Sequence, residues 1–181
     1  MEKYITLLRG INVSGQKKIK MSDLKILFEE LSFTNVVTYI QSGNVLFSSD
    51  SSDKKIIREK IENKIQIRLG YQVQVIIKAL SELKLALKNN SLLKKKKNDL
   101  NRIYFTFLSE KPSPSNIKIL NEFDHSPEQF ILNGDVAYLF LPNGAGKANL
   151  NNNFFEKKLN VFATTRNYKT VKTLLSLTEN K

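Results

Sequence analysis

The chain has 181 residues, 41% of them hydrophobic, and its formal net charge at pH 7 is +12. This composition excludes a disordered chain and suffices for one ordinary domain or two small ones. The lack of cysteine excludes disulfides, thiolate metal sites and a thiol nucleophile. The first residues do not form a signal peptide, and no apolar run approaches the roughly 20 residues that cross a bilayer, so we expect a cytoplasmic protein without a membrane partner.

The excess positive charge has two interpretations that the sequence leaves open. Clustered cations bind phosphate chains by releasing counterions, which predicts nucleic acid or a phosphorylated small molecule as a partner. However, most of the cations are lysines, and lysine, asparagine and isoleucine rise together when a genome is rich in A/T codons. The densest run, residues 94–97, is typical of a solvated linker.

The first eighty residues predict the order strand, helix, strand, strand, helix, strand. The predicted strands are residues 4–8, 36–40, 45–47 and 73–77. Residues 10–20 form a loop, and residues 41–44 form a hairpin turn. Apolar residues at helical spacing follow Ser22 in one segment and Ser51 or Ser52 in the other, so we expect these serines to cap the two helices.

The second half repeats this order less regularly. A helix is predicted up to residue 87, with Ser81 as its cap, and the lysine run follows. The later predicted strands are residues 102–108, 130–132, 136–141 and 161–163, and the predicted helices are residues 116–123, 152–159 and 170–177. The strand at 161–163 is expected to end before a polar segment at residues 164–167.

The element order predicts an α+β fold made of two ferredoxin-like βαββαβ repeats, the second less regular. The predicted organisation is a first half at residues 1–80, a helix and lysine-rich linker at 81–100, and a second half with a C-terminal helix at 101–181. Duplication of one ferredoxin-like unit is the simplest origin of this pattern.

In the first half, this topology brings two polar segments to one end of a sheet. The loop after strand one and the turn after strand two lie at the same edge, because these strands run parallel with strand three between them. The residues concerned are Arg9, Gly10, Asn12, Ser14, Lys17 and Lys18 in the loop, and Gln41, Ser42, Gly43 and Asn44 in the turn. Glycine, amide, hydroxyl and cationic groups can together surround an anion.

The corresponding rule for the second half brings residues 142–147, which end in Lys147, close to Thr164, Thr165, Arg166 and Asn167. A simpler interpretation stays open for both clusters, because glycine and asparagine are also the residues that tight turns require. Each arginine beside a strand can hold a carboxylate or phosphate, or it can bind carbonyls or a buried acid.

Known catalytic motifs do not fit the chain. The segment at residues 144–147 lacks the first glycine of a phosphate-binding P-loop, and Ala148 replaces the serine or threonine that holds magnesium. His125 is the single histidine, which excludes a histidine metal cluster, and we expect it to be a surface residue. We therefore predict neither a metal site nor a cofactor.

Four segments of the chain resemble one protein family. They are residues 7–13 (LLRGINV), 20–21 (KM), 39–47 (YIQSGNVLF) and 163–171 (ATTRNYKTV). In this order they are similar to the domain of unknown function 1697 family. The resemblance implies an α+β fold with ferredoxin-like repeats in a cytoplasmic bacterial protein, and it implies no activity.

Three functional hypotheses follow from the sequence. The residue inventory favours a binding module, in which the cationic loops hold an anionic, phosphate-bearing ligand or nucleic acid. The alternatives are a small cofactor-independent enzyme, with Arg9 and Arg166 stabilising negative charge, and a structural protein whose sheet edges pair in an oligomer. The sequence decides neither the ligand nor the oligomeric state.

Overall fold

The structure is a computed structural model that describes residues 1–95 and 98–179. It confirms an α+β fold with a duplicated βαββαβ layout and two four-stranded antiparallel sheets. The chain divides into two compact units. The first contains Met1–Leu83 and the last described residues from Leu177, and the second contains Lys84–Ser176.

The strands are β1 (Glu2–Leu8), β2 (Thr34–Tyr39), β3 (Asn44–Ser49), β4 (Val75–Ala79), β5 (Ile103–Leu108), β6 (Gln129–Asn133), β7 (Val136–Phe140) and β8 (Ala163–Asn167). The α-helices are α1 (Met21–Glu30), α2 (Lys54–Leu69), α3 (Leu80–Asn89), α4 (Pro114–Asn121), α5 (Asn152–Leu159) and α6 (Tyr168–Glu179). Short 3-10 helices lie at Ser91–Lys94, Leu100–Arg102 and Ala145–Lys147. The predicted lysine run reaches Lys96 and Lys97, which lie outside the described residues.

The first unit has the strand order β2-β3-β1-β4 that a ferredoxin-like repeat requires. Every neighbouring pair is antiparallel, and Leu7 of β1 lies opposite Asn44 of β3. The end of β1, the end of β2 and the beginnings of β3 and β4 therefore lie at one edge, which we call the first sheet edge.

The core of the first unit lies between this sheet and its two helices. Alternate residues of β1, such as Tyr4 and Leu8, point toward α1 and α2. The helices contribute residues at helical spacing, which are Leu24, Leu27, Phe28, Ile57, Ile61 and Ile65. Burial of these side chains fixes the helices on one face of the sheet and leaves the loops at its edge to carry polar groups.

The second unit has the equivalent order β6-β7-β5-β8. Tyr104 of β5 lies opposite Asn167, and Ile103 lies opposite Phe140, so the ends of β7 and β8 share one edge, which we call the second sheet edge. The core on its helical side contains Leu139, Phe155 and Leu159. Of the aromatic residues of β5 and β7, Phe105, Phe107 and Tyr138 are buried, whereas Tyr104 and Phe140 are half-buried.

Three predicted helix caps are wrong. Lys20, not Ser22, precedes α1, and its side chain makes no capping hydrogen bond. Asp53 caps α2 in place of Ser51 or Ser52, since its carboxylate accepts hydrogen bonds from two backbone N–H groups of the first turn. At the start of α3, the carboxylate of Glu82, rather than Ser81, accepts the N–H of Ala79 at 2.7 Å.

The last strand also differs from the prediction. The segment expected to follow the strand, residues 164–167, is itself part of β8 (Ala163–Asn167). It pairs along its length with β5, through hydrogen bonds between residues far apart in the chain. A polar, threonine-rich segment has no local pattern that predicts such pairing. Among the described residues, no helix has both the length and the apolar character that a membrane crossing needs.

Candidate functional site

The first sheet edge joins the loop at residues 9–20, here named the edge loop, to the turn at residues 40–43. The backbone N–H of Leu8 donates to the carbonyl of Gly43 at 2.8 Å, and that of Arg9 donates to the carbonyl of Gln74 at 2.9 Å. The edge loop therefore lies between the turn and the segment that precedes β4. The convergence expected from topology is present in the structure.

Asn12 connects the edge loop to the turn through its side-chain amide. Its Nδ2 donates to the carbonyl of Gln41 at 2.8 Å and to that of Ile19 at 2.9 Å, while its Oδ1 accepts the N–H of Ile19 at 2.9 Å. Both polar ends of this amide are thus bonded to the backbone. Asn12 holds the two ends of the loop together and attaches them to the turn.

Asn44, the first residue of β3, holds the turn in place through its side-chain amide. It is fully buried, and its Nδ2 donates to the carbonyl of Tyr39 at 2.9 Å and to the hydroxyl of Ser42 at 3.1 Å. Gly43 has a φ of +76°, and a Cβ at this position would lie 2.6 Å from Ile11 Cδ1 and 2.8 Å from Leu8 Cβ. The turn therefore needs glycine both for its backbone conformation and for close packing.

The edge loop has a tightly wound backbone. Three residues other than glycine have positive φ, namely Asn12 at 55°, Ser14 at 49° and Lys17 at 44°. Gly10 and Gly15 also have positive φ, and Val13 and Gln16 form an isolated antiparallel bridge. Such conformations persist only where surrounding contacts hold them, and they concentrate at functional sites. Here the contacts of Asn12 supply that support.

The cations of the edge loop differ in exposure. Lys18 and Lys20 are exposed, and so is Ser14. Lys17 is half-buried and donates from Nζ to the carbonyl of Gln72 at 2.6 Å. Arg9 is half-buried directly after β1. In the edge loop, the ammonium group of Lys17 is therefore bonded to the backbone, whereas Lys18 and Lys20 are exposed to solvent.

A carboxylate supports the same edge from α2. Oε1 of Glu62 accepts the N–H of Val75, the first residue of β4, at 2.8 Å. Burial raises the pKa of the Glu62 carboxyl, and the hydrogen bond from Val75 opposes this effect. The local sequence does not identify this role of Glu62, because its partner Val75 lies in another element.

The second sheet edge is organised by side chains of β8. The hydroxyl of Thr165 lies 2.7 Å from that of Thr106 and donates to Oδ1 of Asn152 at 2.7 Å. Oδ1 of Asn167 accepts the N–H of Thr170 at 2.8 Å and so caps α6. These two predicted site residues therefore join β8 to β5, α5 and α6.

Arg166 is buried within the same strand, with 7% of its surface exposed. Its Nη1 donates to the hydroxyl of Thr164 at 2.8 Å and to the carbonyl of Thr165 at 2.9 Å. Burial lowers the pKa of the guanidinium from its usual 12.5 to about 10, so the group stays protonated at neutral pH.

The loop after β7 carries Lys147, which is exposed at the end of a 3-10 helix. Beside it, Gly144 has a φ of +80°, and a Cβ there would lie 2.8 Å from Nη1 of Arg102. Arg102 therefore joins this edge, although sequence reasoning did not include it. The signal was available, since Arg102 precedes β5, which begins at the edge where β7 and β8 end.

His125 is not the surface residue that the sequence predicts. It is half-buried, and its ring centroid lies 5.2 Å from those of Phe130 and Phe154. Within the part of the chain that the structure describes, no group of three or more metal-ligating side chains could hold a metal ion.

Comparison with known proteins agrees with this architecture. The conserved bacterial protein SP0830 from Streptococcus pneumoniae has a solved structure that superimposes with a TM-score of 0.74 at 22% sequence identity. The match covers 97% of this chain and 98% of that protein, and at this identity it shows a shared fold. A search of curated proteins gave no significant match.

The sequence comparison with family models confirms the resemblance seen in the motifs. Residues 1–138 match one model, and this range includes the edge loop and the turn that together form the first sheet edge. The segment at residues 163–171 lies beyond the matched range. The chain belongs to the family described as Protein of unknown function (DUF1697).

Proposed function

We propose that the edge loop at residues 9–20 binds the phosphate chain of a nucleic acid. The observation that carries this proposal is a pair of exposed lysines, Lys18 and Lys20, on a loop whose backbone Asn12 attaches to the neighbouring turn. A loop held in this way loses little conformational entropy when a ligand binds.

The form of the site favours a chain of phosphates over a single phosphorylated molecule. The cations and Ser14 lie on an exposed loop, where successive phosphates can reach them from solvent. Binding then draws on counterion release and on the net charge of +12, and neither contribution needs base-specific contacts. The positive φ of Ser14 and Lys17 is consistent with a loop under functional constraint.

Fluorescence anisotropy with a labelled single-stranded oligonucleotide at low salt tests the proposal. The variant Lys18→Glu/Lys20→Glu should bind roughly tenfold or more weakly than the wild type, because each substitution replaces an attraction by a repulsion. The matched control is Lys55→Glu/Lys60→Glu, which makes the same charge change on the exposed face of α2.

Equal losses in the two variants would show that net charge alone governs binding, and would contradict a site at the edge loop. No binding by the wild type to single-stranded or duplex nucleic acid at low salt would also contradict the proposal. If free nucleotides bind as tightly as an oligonucleotide, the ligand is a single phosphorylated molecule and not a chain of phosphates.

A further inference from the structure

A second surface, in the second unit, has the features of a peptide-binding edge. Strand β6 (Gln129–Asn133) forms an outer edge of its sheet and, among the described residues, pairs with β7 alone. A two-residue turn joins the two strands, so alternate residues of β6 direct their backbone N–H and C=O away from β7. These outward residues are Phe130 and Leu132, and an edge of this kind is a template for another strand.

Two open cavities are lined in part by residues of β6. One, of about 410 Å³, is bordered by Lys95, His125 and Phe130. The other, of about 390 Å³, is bordered by Lys111, Phe123 and Leu132. Phe130 and Leu132 lie on the same face of β6, and because alternate side chains of an added strand also share a face, those on this face can enter both cavities.

The walls of the cavities include aromatic rings that contact one another and neighbouring rings. The ring of Phe130 lies 5.2 Å from that of His125 and 6.2 Å from that of Phe155, and the latter is fully buried. Phe123 is 44% exposed, with Nζ of Lys158 at 3.8 Å from its ring centroid. An exposed apolar surface beside an unpaired strand edge is a feature of protein interaction sites.

The charges around the edge indicate the chemistry of its partner. Lys95 and Lys111 border the two cavities and are exposed. Of the nearby acids, Glu128 is buried and both of its carboxylate oxygens accept backbone N–H groups, whereas Asp124 is exposed and its Oδ1 accepts the N–H of Ser126. Pairing of β6 with β6 of a second copy would bring like charges together, which disfavours self-association.

We propose that the outer edge of β6 binds an extended acidic segment of a partner protein by strand addition. The backbone groups of Phe130 and Leu132 pair with the added strand, its apolar side chains enter the two cavities, and its carboxylates lie near Lys95 and Lys111. This site is separate from the edge loop and does not depend on nucleic-acid binding.

Labelled peptides that alternate glutamate with valine test this site in the full-length protein. The wild type should bind such a peptide, with an affinity that falls as salt rises. N-methylation of alternate peptide amides should abolish binding, because it removes the ladder hydrogen bonds. The variant Lys95→Glu/Lys111→Glu should bind roughly tenfold or more weakly.

Leu132→Pro removes an outward N–H group and should therefore block strand addition. Proline is tolerated at strand edges, so the variant should still fold. If this variant does not fold, Lys95→Glu/Lys111→Glu still decides the question. Lys18→Glu/Lys20→Glu serves as the matched control and should bind the peptide like the wild type. The proposal is overturned by an absence of peptide binding, by equal binding of the N-methylated peptide, by a loss confined to Lys18→Glu/Lys20→Glu, or by a dimer that Leu132→Pro dissociates.

Discussion

The first and second sheet edges have the same topology and similar residue types, but they expose their cations differently. At the first edge, the cations follow β1 in a loop, and Lys18 and Lys20 reach solvent. At the second edge, Lys147 is likewise exposed in the loop after β7, whereas Arg166 lies inside β8, where strand alternation turns it into the buried interior. The comparison teaches that the position of a cation relative to the end of its strand, more than the residues around it, decides whether it can meet a ligand.

The largest expected effect concerns the packing of the first edge. Gly43→Ala should lower the free energy of unfolding by about 3 kcal/mol, because a left-handed alanine is strained and its Cβ meets Leu8 Cβ at 2.8 Å. The control is Gly134→Ala, which has a similar φ of +62° in open space and should cost about 1 kcal/mol. Urea unfolding measures both, and equal losses would mean that close packing at Gly43 adds nothing.

The next effect concerns the amide that joins the edge loop to the turn. Asn12→Ala should lower the free energy of unfolding by about 2 kcal/mol, since three hydrogen bonds with the backbone are lost and alanine disfavours a φ of 55°. Asn143→Ala, an exposed asparagine in the loop of the second edge, is the matched control. A stability of Asn12→Ala within error of the control would show that the edge loop is not held by this side chain.

A smaller, pH-dependent effect is expected at Glu62. Its carboxyl has a higher pKa in the folded protein than its usual 4.5, so its contribution to stability is full below 4.5 and is lost as pH rises through the folded pKa. Glu62→Gln keeps an acceptor for the N–H of Val75 and removes this titration. The variant should therefore gain stability relative to the wild type as pH rises, and urea unfolding across the acid range would show parallel curves if this is wrong.

No effect on nucleic-acid binding is expected from the buried arginine. Arg166→Met should bind an oligonucleotide like the wild type, because its guanidinium is enclosed and bonded to Thr164 and Thr165. Anisotropy titration measures the affinity, and circular dichroism verifies the fold. A loss as large as that of Lys18→Glu/Lys20→Glu would erase the proposed difference between the two edges.

The sequence predicts much of the fold because local patterns dominate it. The duplicated element order, the turns before β3 and β7 and the limits of α5 follow from apolar spacing and turn residues. The part of β8 after Ala163 was missed because Thr164 to Asn167 lack apolar alternation and are stabilised by pairing with β5, far away in the chain. Such pairing has no local signature.

The sequence predicts which residues lie at the candidate site, but not what their side chains do there. Topology correctly brings Asn12 close to Gln41, yet the sequence does not reveal that its amide bonds to the backbone. The same holds for Glu128, whose partners Asn149 and Leu150 lie more than twenty residues away. Carboxylate and amide contacts with distant backbone groups depend on the packed tertiary structure, so residue type and spacing cannot specify them.

The salt dependence of oligonucleotide binding tests the central claim most directly. For the wild type, the logarithm of the binding constant should fall linearly with the logarithm of salt concentration. In Lys18→Gln/Lys20→Gln the slope should be shallower by about 1.4, because two single-strand phosphate contacts are lost at about 0.7 each. The control Lys55→Gln/Lys60→Gln should keep the wild-type slope, and an unchanged slope in Lys18→Gln/Lys20→Gln would contradict a phosphate-binding edge loop.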